Sequence, residues 1–392
     1  MAAKPNIVFL HVDQLKWSAV GANGCERVQT PEMDRLFNDA VCFNRSYSTV
    51  PQCVPARTAW HTGLDPVQSG ISSNEQSIEN PDSISDIGRW LKERAGYDCY
   101  YMGKWHIAMP IQKTGFTRLF GSNPLGEIGD AAVGRAAEEF LLNRKSDKPF
   151  FISIGLLNPH DICYWSFPYS AGKFSLTAEF DEKLPPLPPN FNSTQLEKQW
   201  SDDEWRFYAW SYFRLVEMVD AEIGRIYNAY LNSPARDNTV FIFSSDHGQA
   251  SGEHGYLTKN TPYEHSIRVP LAVVDPKAAP RRDSEHLVGG IDLSPTLCDY
   301  AGVESMPENH GMSFKKLVRG GPEESWRESL TSWSAKMRHS VLLRGDYKLV
   351  IELRTGAAKL FNLKDDPWEI NDLSADPKNA ETLSDLRKLA EI

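Results

Sequence analysis

No segment of this 392-residue sequence is apolar for long enough to cross a membrane. The first apolar run, residues 6–12, is also too short to be the hydrophobic part of a signal peptide. Two cases remain: a leader was removed, or the chain has none. We expect a periplasmic or secreted location in the first case and a cytoplasmic one in the second.

Cysteine is scarce as well, with six widely spaced residues and no CxxC pair. That spacing speaks against a dense disulfide scaffold and favours buried free thiols, with one or two disulfides left open. Clusters of lysine and arginine are also missing, and the formal net charge is −10. These features argue against a nonspecific nucleic-acid surface, so an anionic substrate requires positive charge inside its own site.

Apolar runs with the length of buried strands alternate with helical patterns along most of the chain. This alternation predicts an α/β fold with a mostly parallel central sheet flanked by helices. The predicted strands cover residues 6–12, 97–102, 150–157 and 239–243, and the predicted helices cover 84–94, 131–142 and 208–231.

The pattern changes after about residue 310 to short strands joined by turns, which predicts a small antiparallel sheet. A helical pattern at 379–389 closes the chain. We therefore divide the chain into an α/β domain, 1–310, and a C-terminal subdomain, 311–392. The predicted strands of the subdomain are 329–333, 339–344, 347–353 and 359–362.

Each predicted strand of the larger domain is followed by side chains that carry chemistry. Ligands of open α/β sheets bind beyond the carboxyl ends of the strands, so we expect these side chains to converge there. They are Asp13 and Gln14, then Lys104 and His106, then His160, and finally Asp246 and His247.

Four of these side chains form a set that can hold a divalent cation. Asp13 and Asp246 supply carboxylates, Gln14 an amide oxygen and His247 an imidazole. The oxygen ligands favour calcium, magnesium or manganese, and the imidazole gives manganese or zinc some weight.

Other side chains suit an anionic reaction centre. Arg57, Lys104 and Lys259 supply cations that can neutralise a tetrahedral oxyanion. His106 and His160 can exchange protons near neutral pH as general base and general acid.

The segment Cys53-Val54-Pro55-Ala56-Arg57 resembles the sequence that maturation enzymes convert to formylglycine. With the motifs around it, the chain resembles the formylglycine-dependent sulfatase family of the alkaline phosphatase superfamily over nearly its whole length. These motifs include Gly103-Lys104-Trp105-His106, Asp246-His247-Gly248, Gly252-Glu253-His254-Gly255, Arg268-Val269-Pro270-Leu271 and Asp366-Pro367-Trp368-Glu369.

The resemblance implies an alkaline-phosphatase-like fold, with residues 1–310 as the catalytic domain, and hydrolysis of a sulfate monoester, most naturally on a carbohydrate. Cys53 would become formylglycine through a transient maturation-enzyme partner. The gem-diol of the hydrated formylglycine would attack sulfur and form a covalent sulfo-enzyme intermediate, while Arg57 orients it. One divalent metal, calcium before manganese or magnesium, would be held by Asp13, Gln14, Asp246 and His247.

The same resemblance assigns the remaining polar residues. Lys104 and Lys259 would clamp the sulfate oxygens, and His160 would protonate the departing alcohol oxygen. His106 would then remove the proton of the second diol hydroxyl, which expels sulfate. The segment 161–169, rich in aromatic residues, would line a sugar or aryl pocket or belong to the core.

Three residues depart from the commonest family pattern, namely Gln14, Ala56 and His247. With these three residues the chain also resembles phosphonate monoester hydrolases and choline-sulfatase-like enzymes. Cleavage of a phosphonate or a phosphodiester therefore stays open as an alternative. A third hypothesis is a noncatalytic protein that binds sulfated glycans and keeps Cys53 unconverted.

Overall fold

The computed structural model describes residues 4–122, 125–164, 184–321 and 325–390. The strands, in chain order, are β1 (Asn6–Asp13), β2 (Val41–Phe43), β3 (Ser46–Tyr47), β4 (Asp98–Gly103), β5 (Thr117–Phe120), β6 (Phe150–Pro159), β7 (Thr239–Ser245), β8 (Leu271–Val274), β9 (Arg281–Asp283), β10 (Val288–Gly289), β11 (Ser329–Trp333), β12 (His339–Arg344), β13 (Tyr347–Glu352) and β14 (Ala358–Asn362). The α-helices are α1 (Pro31–Asn38), α2 (Cys53–Thr62), α3 (Pro66–Ser69), α4 (Ile87–Trp90), α5 (Gly126–Asn143), α6 (Asp202–Leu231), α7 (Glu264–Ile267), α8 (Leu293–Ala301), α9 (Lys315–Arg319) and α10 (Ala380–Leu389).

An eight-stranded sheet with the order β5-β4-β6-β1-β7-β8-β2-β9 forms the centre of the larger domain. The strands from β5 to β7 are mutually parallel, whereas β8 runs antiparallel to both of its neighbours. Every residue of β1 is buried, because helices cover both faces of the sheet. The predicted α/β fold with a mostly parallel sheet is confirmed.

Helices pack on the two faces of the sheet and bury separate apolar cores. The buried stripe of α6 includes Val216, Val219 and Ile223, and it meets α5 on one face. On the other face α4, α8 and α9 contribute Ile87 and Leu297 among others. None of the helices in the described ranges is long and apolar enough to cross a membrane.

The C-terminal subdomain is a four-stranded antiparallel sheet, β11 to β14 in sequence order, followed by α10. The four predicted strands and the closing helix are confirmed to within one residue at each end. The backbone N–H of Trp333 donates to the Thr49 carbonyl at 3.0 Å, four residues before Cys53. The small sheet therefore packs beside the start of α2, and the domain boundary at 310 stays a prediction.

Candidate active site

The carboxyl ends of the parallel strands bring the predicted residues together. Asp13 is the last residue of β1, and Asp246 follows β7 directly. Gln14 lies next to them with a φ of 75°, and its backbone N–H donates to Asp246 Oδ1 at 3.1 Å. Lys104 follows β4. Three strand ends that are far apart in the chain thus face one point.

Cys53 lies at the centre of this group as the first residue of α2 and is fully buried. Its Sγ atom is 3.1 Å from Lys259 Nζ and 3.3 Å from His247 Nε2. Asp13 Oδ1 lies 3.6 Å away, and Lys104 Nζ lies 3.8 Å away. The Cys53 side chain therefore lies near both predicted lysine ammonium groups and two of the predicted metal ligands.

The electrostatic surroundings of Cys53 favour negative charge on its side chain. Burial and the Asp13 carboxylate both raise the pKa of the thiol. Lys104, Lys259 and His247 outweigh them and hold the pKa well below its ordinary range. This position thus stabilises an anion, as the attack of an oxygen nucleophile requires.

Arg57 lies one turn further along α2, and its guanidinium joins the two carboxylates. Its Nε donates to Asp246 Oδ2 at 2.7 Å, and another of its nitrogens lies 3.0 Å from Asp13 Oδ2. A third nitrogen donates to the backbone carbonyl of Lys104 at 2.9 Å. The pKa of Arg57 is raised, because Asp246 and Asp13 outweigh the effect of burial. Arg57 therefore fixes the spacing of the acidic pair.

The side chains in this cluster fit a divalent metal. Ligand atoms of Asp13, Cys53, Asp246 and His247 all lie within 4.8 Å of one another and are buried. Burial and repulsion from Asp13 raise the pKa of Asp246, and a cation between the two carboxylates would relieve both effects. Gln14 Oε1 accepts from Lys259 Nζ at 2.7 Å, so this amide oxygen also faces the cluster.

The two predicted proton carriers differ in their placement. His160 is half-buried after β6, and among the described residues its buried Nδ1 has no hydrogen-bond partner. Lys104 and His160 outweigh burial and hold the pKa of Asp13 well below its ordinary range, so His160 acts electrostatically on the cluster. His106 is exposed, and within the described ranges no hydrogen bond or ion pair joins its side chain to the site. Its role stays a prediction.

Sequence reasoning missed the residues that hold Gln14 in place. Gln14 Nε2 donates to Gln249 Oε1 at 2.5 Å, and Gln249 Nε2 donates to Tyr208 at 2.9 Å. Tyr212 donates through its hydroxyl to the Gln14 carbonyl at 2.9 Å. Gln249 lies two residues after His247, and that proximity was the only sequence signal. Of the aromatic segment 161–169, residues 165–169 lie outside the described residues.

A comparison with protein families decides the class of this site. The profile of the family described as Sulfatase matches residues 5–303. The chain belongs to the sulfatase family. A second profile, described as N-sulphoglucosamine sulphohydrolase, C-terminal, matches residues 252–391 of this sulfatase. The protein is a sulfuric ester hydrolase. The sulfatase family implies a divalent metal and a formylglycine, as the sequence predicts.

Individual relatives agree with that assignment. This sulfatase is 25% identical to the Delta 4,5-hexuronate-2-O-sulfatase of Bacteroides thetaiotaomicron, and the match covers 98% of this chain and 88% of the relative. The solved structure of a 2-O GAG sulfatase superposes with a TM-score of 0.86 at 24% identity, covering 99% of this chain and 91% of the other. A phosphonate monoester hydrolase of Agrobacterium radiobacter shares the fold with a TM-score of 0.79 at 21% identity, covering 98% and 96%.

Proposed function

We propose that this sulfatase hydrolyses a sulfate monoester of a carbohydrate through a formylglycine made from Cys53. The observation that carries the proposal is the surroundings of the Cys53 side chain. Lys259 Nζ is 3.1 Å from its sulfur, His247 Nε2 is 3.3 Å away, and Asp13 Oδ1 is 3.6 Å away. An oxygen nucleophile formed at this atom would lie among cations and potential metal ligands.

The roles of the other residues follow from their contacts. Formylglycine supplies an oxygen nucleophile when Cys53 has been converted, and Arg57 holds the acidic pair beside it. Lys104 and Lys259 point their ammonium groups at the Cys53 sulfur, where they would bind two oxygens of the sulfate group. His160 would donate a proton to the departing alcohol oxygen.

The metal would be held by Asp13, Gln14, Asp246 and His247, where it would supply Lewis acidity toward a sulfate oxygen. Three of the four ligands offer oxygen, which favours calcium, and the imidazole keeps manganese as the nearest competitor. Metal analysis of the purified protein, followed by titration of the chelated protein with each ion, tests this choice. Calcium in the isolated protein and recovery of activity with calcium are expected, and recovery with manganese alone contradicts it.

Two exposed aromatic side chains support a carbohydrate substrate, one packed beside His160 and one close to Lys259 in the sequence. Tyr164 is 44% exposed, and its ring centroid lies 6.0 Å from that of His160. Tyr256 is 38% exposed and precedes Lys259 by three residues. Aromatic faces of this kind stack on the apolar face of a sugar. The 2-O-sulfatase relative, which acts on a hexuronate by its name, agrees with this substrate class.

Mass spectrometry of the peptide that contains Cys53 tests the proposal most directly. The protein is produced in a host that contains the maturation enzyme, and its turnover of an aryl sulfate is measured in parallel. We expect the mass of formylglycine at Cys53, an unmodified thiol at Cys163, and turnover that Cys53→Ala abolishes. A thiol at Cys53 together with full turnover would refute the nucleophile. A thiol with no turnover would favour the noncatalytic glycan-binding hypothesis.

A phosphonate or phosphodiester substrate is the second candidate. Its support is the fold shared with the phosphonate monoester hydrolase, together with the ligand pair Gln14 and His247. Values of kcat/KM on matched aryl sulfate and aryl phosphonate esters separate the two candidates. We expect the sulfate ester to be the better substrate, and a preference for the phosphonate would reverse the assignment.

A further inference from the structure

Tyr101 is a buried tyrosine of β4 that lies three residues before Lys104. Its hydroxyl donates to the backbone carbonyl of Lys104 at 2.5 Å. The same carbonyl accepts from the guanidinium of Arg57 at 2.9 Å. A carbonyl oxygen has two lone pairs, so Tyr101 and Arg57 together satisfy this acceptor.

The main chain turns sharply just before this carbonyl. Gly103 has a φ of 81°, and a Cβ at this residue would lie 1.9 Å from the carbonyl oxygen of Gly155. After the turn, the N–H of Lys104 donates to the same Gly155 carbonyl at 2.9 Å. The Lys104 ammonium then reaches Asp13 Oδ2 at 2.6 Å and Cys53 Sγ at 3.8 Å. The place of the ammonium thus depends on the carbonyl that Tyr101 holds.

The Tyr101 hydroxyl is itself held on its other side. His11 Nε2 lies 3.4 Å from it and 3.1 Å from the Ser153 hydroxyl. Burial raises the pKa of Tyr101 to about 12. The phenol therefore keeps its proton near neutral pH and can donate it to the Lys104 carbonyl.

We propose that Tyr101 is a positioning residue for sulfate-ester hydrolysis, acting through the Lys104 carbonyl on the Lys104 ammonium and the Arg57 guanidinium. The inference rests on the proposed roles of these two cations. The proposed role belongs to the hydroxyl of Tyr101 and not to its ring. A phenylalanine ring would keep the packing against Trp105, whose ring centroid is 4.7 Å away, and would lose only the hydrogen bond.

The test compares Tyr101→Phe with a matched control, Tyr97→Phe, in the metal-loaded, formylglycine-containing enzyme. Tyr97 is also buried, and its hydroxyl donates to the Pro5 carbonyl at 2.5 Å at the other end of β4. Both variants lose one hydroxyl-to-carbonyl hydrogen bond, so we expect similar decreases in Tm. We expect kcat to fall about tenfold in Tyr101→Phe alone, with KM within about twofold of wild type, because small displacements of catalytic groups reduce the rate of the chemical step.

A double-mutant cycle with Lys104→Ala tests whether the effect passes through Lys104. We expect Tyr101→Phe to reduce kcat less than about threefold in the Lys104→Ala enzyme. The proposal would be overturned if Tyr101→Phe reduced kcat equally in the wild-type and the Lys104→Ala enzymes. It would also be overturned if the Tyr101 and Tyr97 variants had equal kinetics, or if Tyr101→Phe failed to fold. A wild-type enzyme without sulfatase turnover would instead refute the proposed function on which it rests.

Discussion

The ammonium of Lys259 lies 3.1 Å from the sulfur of Cys53, although 206 positions separate the two residues in the chain. The same ammonium donates to Gln14 Oε1 at 2.7 Å. Lys259 therefore connects the nucleophile position with a proposed metal ligand. A cation so placed would contact the sulfate group of a bound ester.

Replacement of Lys259 by alanine should lower kcat by at least about a hundredfold, because a cation held at the developing charge contributes that much to related reactions. The fold should be kept, which far-UV circular dichroism checks. Lys336→Ala is the control, because its ammonium is exposed and lies 3.9 Å from Glu75. A near-normal rate for Lys259→Ala would remove this residue from the site.

Replacement of His160 by glutamine should show its effect through the leaving group. If His160 protonates the departing oxygen, kcat/KM should fall by about a hundredfold or more for an alkyl or sugar sulfate. For 4-nitrophenyl sulfate, whose leaving group needs no proton, we expect a much smaller decrease. His310→Gln, an exposed histidine bonded to Gln68, serves as control. Equal losses on both substrates would contradict the acid role.

Replacement of Arg57 by methionine should destabilise the protein strongly. The change leaves Asp13 and Asp246 buried with less compensating charge, and breaking such a pair costs about 3–5 kcal/mol. Urea unfolding of the metal-free protein measures the free energy of unfolding. Lys388→Met removes an exposed ion pair with Asp385 and should change the free energy of unfolding by less than about 1 kcal/mol. Similar values for both variants would contradict the structural role of Arg57.

The buried pair of Lys16 and Glu253 should make stability depend on acid pH. Burial raises the pKa of Glu253, but Lys16 and His265 outweigh burial and lower it from 4.5 to about 2. Because the folded pKa is the lower one, the carboxylate stabilises the fold above pH 4.5, and this stability is lost as pH falls toward 2. The shift corresponds to about 3 kcal/mol.

Urea unfolding at pH 5 and at pH 3 measures this contribution. Wild type should lose more free energy of unfolding between the two values than Glu253→Gln, which has no carboxylate to titrate. Glu285→Gln changes an exposed carboxylate and should behave like wild type. An identical pH dependence in wild type and Glu253→Gln would refute the low pKa.

The strands that lie in long apolar runs were predicted correctly from the sequence. Strands that are short or that mix polar and apolar residues were missed. β1 and β6 are buried over their full length, and their sequences are mostly apolar. β2 and β9 have three residues each, too few for a periodic pattern, and β5 is exposed throughout. None of these three strands was predicted. The predicted helix at 84–94 is instead the short α4 followed by a π-helical turn that ends before Gly96.

The helix α2 shows why the nucleophile position required the structure. All of its residues are buried, so it has no polar face and its sequence lacks the apolar stripe of an amphipathic helix. The motif at 53–57 identified Cys53 by resemblance alone, and Arg57 was predicted only as one of several cations. Only the tertiary structure shows that Arg57 joins Asp13 to Asp246.

By itself, the sequence determined the fold class, the family and the residue types of the site, because strand patterns and ordered motifs are local properties of the chain. The tertiary structure decided which side chains meet. Contacts such as Lys259 with Cys53, and the shared carbonyl of Lys104, join residues from different strand ends and depend on how the sheet orders those strands. No local pattern encodes that order.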